Sequence, residues 1–478
     1  MVSRNPTTSS EIPLCVDLDG TLLRTDSLYE STLLLLKANP LRVALLPIWL
    51  LGGKAALKRE IASRVTLDPA TLPYHPELLA HLREEHAKGR PLVLVSAAHE
   101  TIVRAVARHL GIFSDVIASD GAQNIKGVTK RAVLVARFGE GGYDYAGDHP
   151  ADLEVWSGAR GAIVVSNDAG LARRAGSRVQ RVFTSPRRSL ARLPRAIRVQ
   201  QWVKNLLVFV PLLMAPEARQ LPLFLDAFLA FVAFSLCASS VYVTNDLLDL
   251  EADRRHATKR LRPFAAGDLP LALGLLLVPG CLLGAVLVTL MLPRAFAVVL
   301  LVYMIVTTAY SFRLKHVPLV DVIVLAMLYT GRVIAGAAAT QVWPSPWILG
   351  FSLFFFLSLA FVKRYAELYA MREEQPALKV RGYYPTDLEL IAINGAVSGY
   401  ISVLVAALYI NSDRVVGLYR HPAMLWLICP LLLYWISRIW MLAHRGQLHD
   451  DPVLFAIKDR ESWVVGVLIA LVLAAARL

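Results

Sequence analysis

The sequence is poor in cysteine and poor in charge for its size, and its opening residues are poor in apolar side chains. Cys15, Cys237, Cys281 and Cys429 are the only four cysteines in 478 residues. None forms a C-x-x-C pair, so neither a zinc cluster nor a disulfide framework is suggested, and a reducing compartment fits. Only 18% of the residues are charged against 56% hydrophobic, a balance that excludes an ordinary soluble globule of this length. The opening stretch MVSRNPTTSSEIPL lacks the apolar core, roughly 7 to 15 residues long, of a secretory signal. The first domain is therefore expected to stay in the cytoplasm, where it is made. The remaining charge leans positive, with 50 Lys and Arg against 37 Asp and Glu, a formal +13. Nucleic acid, anionic lipid or phosphorylated substrates would each suit that surplus.

Two halves with different physics follow. Up to about residue 185, the short β runs IPLCVDL, RPLVLVS, SDVIAS, YDYAGD, GAIVVS and QRVF alternate with helical patterns. Apolar strands linked by helices predict an N-terminal α/β, Rossmann-like parallel sheet over residues 1–185. SPRRSLARLPRAIR, with two prolines and five arginines, reads as a basic linker over 186–198, lying along a membrane surface. Residues 199–478 hold runs long enough to cross a bilayer, which takes about 20 residues. The expected fold there is an all-α membrane bundle of nine transmembrane helices, near 199–216, 222–244, 270–291, 294–312, 319–340, 345–363, 388–410, 421–441 and 461–478. Loop charges support the count. With the linker inside, the loops after the second, fourth, sixth and eighth helices carry 16 Lys and Arg, Arg372 and Lys379 among them. The opposite loops carry four: Arg219, Arg294, Arg414 and Arg420. That bias predicts a multi-pass protein of a bacterial inner (plasma) membrane, with its soluble domain and active sites cytoplasmic. The run LRVALLPIWLLGG at 41–53 is too short to span. It is expected to be a buried cap helix, an interfacial anchor being the other choice.

VTNDLLDLEADRRHATKRLRPFAAG, residues 243–267, falls where the second span leaves the bilayer. Asn245, Asp249 and Asp253 are spaced i, i+4, i+8, and Asp246 stands three before Asp249, so one helix would present all four on a broad face. Carboxylates this close need a compensating cation, and magnesium suits them because it leaves positions open for substrate phosphates. His256, Lys259, Arg260 and Arg262 add donors for phosphate. A diphosphate site is expected, and no nucleic-acid partner.

N-D-x-x-D-x-x-x-D at Asn245, Asp246, Asp249 and Asp253 resembles the first aspartate-rich motif of the UbiA-type prenyltransferase superfamily, and the resemblance covers residues 195–478. It implies a nine-helix bundle binding magnesium and a diphosphate substrate. Most members also carry a later D-x-x-x-D. The loop VKRYAELYAMREEQPALKVRGYY has Glu367, Glu373 and Glu374 instead, among many cations. DRRHATKRLRPFAAG, YSFRLK (Tyr310–Lys315) and DVIVLAMLYTGRVIAGAAA (Asp321–Ala339) are similar to one branch, the decaprenyl-phosphate phosphoribosyltransferases. That likeness implies phosphoribosyl pyrophosphate as donor, polyprenyl phosphate as acceptor, and Tyr310 and Asp321 among the substrate-binding residues. Three phosphate-bearing groups require many donors, for which Lys259, Arg260, Arg262, Lys315, Lys363, Arg364 and Arg381 are candidates, with lipid headgroups as their alternative ligands. Arg332 lies inside the fifth span and is expected to face the bundle interior, toward substrate or a carboxylate.

VDLDGT places Asp17, Asp19, Gly20 and Thr21 at a strand tip, where two carboxylates at i and i+2 point the same way; one can attack and the other pass a proton. Ser96 in LVLVSAAHE, Lys130 in KGVTKRAVL, and Asp148 and Asp152 in YDYAGDHPAD follow in order. Together these motifs resemble the haloacid dehalogenase-like phosphatases. The likeness implies Asp17 as nucleophile, Asp19 as general acid and base, and Thr21, Ser96 and Lys130 on the phosphate. It also implies magnesium at Asp17, Asp148 and Asp152, and a helical cap over about 24–88. Phosphoribosyl transfer would leave a 5-phosphate for this domain to remove. The rival expectations are an aromatic prenyltransferase with a fused phosphatase, a membrane-anchored phosphatase of soluble metabolites, and a transporter with a regulatory domain.

Overall fold

The structure is a computed structural model describing residues 12–119, 125–184, 190–213, 220–371, 381–412, 415, 417, 419–448 and 451–477. Arg187 and Arg188 of the linker, and Arg219, Arg372, Glu373, Glu374, Lys379 and Arg414, lie outside the described residues. The chain divides into two compact units. One comprises residues 1–197 with 242–278, the other 198–241 with 279–478.

Each of the six apolar runs forms a strand: β1 (Leu14–Asp17), β2 (Leu92–His99), β3 (Asp115–Ser119), β4 (Asp144–Gly147), β5 (Gly161–Val165) and β6 (Val179–Phe183). All pairings are parallel, in the order β3-β2-β1-β4-β5-β6. Successive side chains of a strand point to opposite faces. Leu14, Val16, Leu92 and Leu94 accordingly enter one core, and Cys15, Val93 and Val95 the other, beside Tyr145 and Trp156.

Between β1 and β2 lie α1 (Ser27–Ala38), α2 (Leu46–Leu51), α3 (Gly53–Ala62) and α4 (Pro76–Ala87). Asp26 caps α1 by accepting the Leu28 N–H at 2.9 Å, as short oxygen-bearing side chains do at helix starts. Although it falls inside the expected cap segment, α4 buries Leu78, Leu79 and Leu82 in the sheet's core. The apolar run at 41–53 differs from the favoured expectation: the 3₁₀ turns Pro40–Leu45 and α2 bury no residue at all. The remaining helices of the α/β part are α5 (Glu100–Leu110), α6 (Val128–Phe138), α7 (Leu153–Ser157), α8 (Ala169–Ala175) and α9 (Leu193–Ala196).

The second half forms α10 (Val210–Leu213), α11 (Leu221–Leu248), α12 (Leu250–Arg255), α13 (Leu271–Thr289), α14 (Arg294–Phe312), α15 (Val320–Thr340), α16 (Pro346–Met371), α17 (Leu388–Ile410), α18 (Ile428–His444), α19 (Pro452–Lys458) and α20 (Arg460–Arg477). Among the described residues seven helices, not nine, are long and apolar enough to cross a membrane: α11, α13, α14, α15, α16, α17 and α18. The first expected crossing is a 3₁₀ stretch, Val199–Phe209, followed by the single turn of α10. It runs antiparallel to α11. Trp202 Nε1 donates to Ser239 Oγ and Asn205 Nδ2 to Ser235 Oγ, both at 2.9 Å, and the Phe209 ring meets Phe231 and Phe224. Gly336 of α15 lets the stretch approach, because a Cβ there would lie 1.9 Å from the Val208 carbonyl oxygen. The ninth expected crossing, α20, is continuous over 18 residues but carries Arg460, Glu461 and Arg477.

The first unit also contains the end of α11, α12 and the start of α13. Leu247, Leu250, Phe264 and Leu271 pack with Leu33 of α1 and Ala196. Arg254 reaches Glu30 at 2.5 Å, both nearly buried, and Arg24 reaches Asp268 at 2.6 Å. The loop expected to hold a diphosphate thus folds together with the helices inserted between β1 and β2.

Candidate functional site

Strand order reverses about β1, between β2 and β4, and ligand sites of such sheets form beyond the strand ends at that switch. Asp17 closes β1 there. Lys130 Nζ, buried, donates to Asp17 Oδ1 and to the Tyr145 hydroxyl, each at 2.8 Å. Burial opposes the ammonium charge, yet Asp17 and Asp152 outweigh it and hold the group above its usual range. Asp19 accepts the Ser27 N–H at 2.7 Å and its hydroxyl at 3.1 Å. Burial first, then the charges of Asp26 and Asp17, nevertheless push its carboxyl up to about 7. Ser96 is buried within β2 and lines the same cavity as Asp17 and Asp19, 580 Å³ in volume.

Asp148 follows β4, and Thr21 Oγ1 donates to its Oδ1 at 3.1 Å. Thr21 is fully buried, and its hydroxyl is directed at Asp148 and not at the cavity. Gly20, at φ +82°, leaves room for that carboxylate, since a Cβ would stand 2.4 Å from Asp148 Oδ2. Asp152 accepts the backbone N–H groups of Asp148 and His149 on one oxygen and the Tyr145 hydroxyl on the other. One oxygen from each of Asp17, Asp148 and Asp152 lies within 4.8 Å of the others. A hard divalent cation fits such a donor set.

The aspartate-rich motif is arranged differently from the expected single helical face. α11 ends at Leu248, and Asp249 leaves helical geometry (φ −103°, ψ 18°) to start α12. Asp246 and Asp253 are buried and share Arg262 Nη1 at 3.0 and 2.6 Å. Asp249 is half-exposed and 3.4 Å from Lys37 Nζ. Among the described residues, the acidic group already close enough to share an ion is that of Asp17, Asp148 and Asp152; at the aspartate-rich motif Arg262 stands between Asp246 and Asp253. The compensating cation is a guanidinium. Two buried carboxylates cannot stay charged without one, and Arg262 is within reach once the chain turns through the 3₁₀ turn Lys259–Leu261. Asn245 is half-buried, and Lys259 and Arg260 are exposed.

In the second unit, Asp321 and Arg364 are fully buried and paired at 2.7 Å. Tyr383 also donates to Asp321, and Arg364 also meets Glu367. Arg381 lies 3.6 Å from Glu367 and donates to the Tyr310 hydroxyl at 3.2 Å. These expected substrate cations are thus matched by carboxylates of the chain itself. Arg332, buried, donates to Asn205 Oδ1 at 2.9 Å and to the Tyr303 hydroxyl, and lies over the rings of Phe234, Tyr303 and Tyr329. It faces the bundle interior. Lys363 and Lys204 converge on Asp451 Oδ2 at 3.1 and 2.8 Å. Burial disfavours that carboxylate's charge, but the two ammonium groups hold it well below its ordinary range. Lys315 is half-buried in the turn Leu314–His316. Sequence reasoning missed Lys204, Asn205 and Asp451. A lysine within an apolar stretch was the available signal for the first two, whereas Asp451 stands in an unremarkable loop.

A parallel α/β domain with a carboxylate–lysine centre, joined to an apolar helical bundle, defines a multi-pass membrane enzyme with a hydrolase-like domain. Residues 206–463 match the UbiA prenyltransferase family and residues 14–156 match the haloacid dehalogenase-like hydrolases. The chain belongs to the UbiA prenyltransferase family, preceded here by the hydrolase-like domain. Protein y4nM of Sinorhizobium fredii is 38% identical, covering 96% of this chain and 90% of that protein. Nodulation protein NoeC of Azorhizobium caulinodans is 36% identical over 56% of this chain and 88% of its own length. Decaprenyl-phosphate phosphoribosyltransferase of Mycobacterium tuberculosis is 39% identical over 58% of this chain and 92% of its own. A solved UbiA homologue from Archaeoglobus fulgidus bound to GPP and Mg2+ covers 60% of this chain and 100% of its own, at 16% identity and a TM-score of 0.45.

Proposed function

We propose that the chain transfers 5-phosphoribose from phosphoribosyl pyrophosphate to polyprenyl phosphate and then removes the 5-phosphate in its soluble domain. The observation that carries the transferase reading is the 39% identity to decaprenyl-phosphate phosphoribosyltransferase along 92% of that protein. Cations inside the second unit support it: Lys204 and Arg332, both buried, and the partly exposed Lys363 are assigned to the phosphate-bearing ends of the substrates, and Arg364 with Asp321 positions α15 against α16. Nine crossings of a bacterial plasma membrane, with both sites cytoplasmic, belong to the same reading. Val199–Phe209 lies alongside α11, and the 18 residues of α20 give about 27 Å, close to the roughly 30 Å of a bilayer's apolar core.

In the phosphatase step, the Asp17 carboxylate attacks the phosphorus and forms an aspartyl phosphate while the ribose 5-oxygen leaves. Asp19, with its carboxyl near 7, gives that oxygen a proton and then takes one from the water that releases phosphate. Lys130 and Ser96 hold the phosphoryl oxygens. Asp17 and Asp148 would hold magnesium, with Asp152 fixing their loop, and the ion when bound would screen the repulsion between carboxylate and phosphate. A second magnesium is proposed at Asp246, Asp249 and Asp253. Their oxygen donors suit it, and Arg262 must turn away from Asp246 and Asp253 to admit it.

The test supplies membranes containing the protein with labelled phosphoribosyl pyrophosphate and polyprenyl phosphate. Label is expected in the lipid fraction and absent with Asp246→Ala. Transfer of a prenyl group to 4-hydroxybenzoate instead would overturn the phosphoribosyl assignment in favour of an aromatic prenyltransferase.

A further inference from the structure

The apolar stretch Pro40–Leu51 is too exposed to be core. Its two parts, six residues of 3₁₀ turn and six of α-helix, bring Leu41 to 83% exposure, Ile48 to 61% and Leu51 to 89%. Contiguous exposed aliphatic side chains on this scale mark an interaction surface. Twelve residues reach about 20 Å, short of the roughly 30 Å that a crossing needs. Lys37 precedes the run and Lys54 and Arg59 follow it, while Arg42 and Trp49 lie within it. Aromatic and basic residues around a short apolar run suit the headgroup level of an anionic bilayer.

The same arm opens onto the hydrolase centre. Leu50, Lys54, Leu57 and Lys58 line the cavity that holds Asp17 and Asp19. Pro270, Leu271 and Ala272 line it too, and Leu271 begins α13, one of the seven helices of membrane-crossing length. All of these residues belong to the first unit. One cavity therefore has the nucleophile on one wall and the entry turn of a membrane helix on another.

We propose that Pro40–Leu51 lies in the interface of the lipid bilayer and that the hydrolase cavity draws its substrate sideways from the lipid, with Lys54 and Lys58 receiving the phosphate that joins the sugar to its lipid. The inference rests on the phosphatase reading of this centre and adds where its substrate enters. A phosphomonoester held at Asp17 and a phosphodiester on the lysine side make the ligand a lipid with two phosphate groups.

The test uses the full chain in phosphatidylcholine–phosphatidylglycerol vesicles. An environment-sensitive fluorophore is placed at Ile48→Cys and, for comparison, at Lys88→Cys on the soluble domain. Nitroxide-labelled lipid is expected to quench the first probe several-fold more than the second; equal, weak quenching at both overturns the proposal. In parallel, Leu41→Asp/Leu51→Asp is expected to lose at least tenfold in phosphate release from a long-chain alkyl phosphate embedded in the vesicles, while p-nitrophenyl phosphate in solution is hydrolysed as before. Unchanged rates on both substrates also overturn it. Wild-type protein that hydrolyses neither phosphate sinks the phosphatase reading instead, and the quenching still decides where the arm lies.

Discussion

Asp17 and Asp19 stand two residues apart, yet their surroundings divide the labour between them. Lys130 pairs with Asp17, the proposed nucleophile, while burial and the Asp26 charge lift Asp19 to about 7, which favours a proton donor at neutral pH. Hydrolysis of an alkyl phosphate, whose leaving oxygen needs a proton, is therefore expected to decline as pH rises through about 7. Asp19→Asn should abolish that limb and lower kcat by about 100-fold or more, with a smaller loss on p-nitrophenyl phosphate; an unchanged pH profile would remove Asp19 from the step. The folded pKa lies above the ordinary carboxyl value, so ionising Asp19 costs stability as pH rises from about 4 through 7, and the asparagine variant should melt higher at pH 8. Gly20→Ala is a sharper steric test. The new Cβ would collide with Asp148 at a backbone angle that favours glycine, so hydrolysis should fall at least tenfold and the magnesium requirement should rise, with circular dichroism unaltered. Asp17, Asp19 and Asp148 were legible in the sequence because each stands at or just past the end of a recognisable strand, and Lys130, in α6, because its motif falls in the family's order. Lys204 and Asp451 were not, because two residues 247 apart in sequence show no local pattern of their meeting.

At the scale of elements, apolar runs located the inner strands, because a strand covered on both faces has to be apolar throughout; the edge strand β6, largely exposed, was placed by its short run QRVF. Hydropathy served less well for helices. It measures what a segment dissolves in, not its hydrogen-bond pattern, so the 3₁₀ stretch Val199–Phe209 read like any other span. The same limit affected the aspartate motif: i, i+4 spacing predicts one face only while the helix continues, and α11 stops one residue short of Asp249. Close passage of the 3₁₀ stretch past α15 depends on Gly336, where any side chain meets the Val208 carbonyl. Gly336→Ala should cost about 1–3 kcal/mol by overpacking, read as a fall of several degrees in the melting midpoint in detergent. Gly331→Ala on the same helix, where nothing lies within 4 Å of the added carbon, should leave the midpoint in place.

For the whole molecule, one chain carries two chemistries that the proposed sequence of reactions requires in order. The residues between β1 and β2 fold together with the 242–278 segment through Glu30–Arg254 and Arg24–Asp268, so the phosphatase centre and the aspartate-rich loop belong to a single unit. Such tethering gives an intermediate released at one centre a high effective concentration at the other. Two consequences separate coupling from coincidence. Asp17→Asn, which keeps the side chain's shape but removes its nucleophile, should accumulate lipid bearing the 5-phosphate at an undiminished rate of transfer, visible as a doubly anionic product in lipid mass spectra. Mixing Asp17→Asn with Asp246→Ala protein in the same vesicles should restore the dephosphorylated lipid only after a lag, because the intermediate must then diffuse between molecules, whereas wild-type protein should form it with none. Equal time courses for the mixture and the wild type would mean that the two activities share a chain without sharing an intermediate.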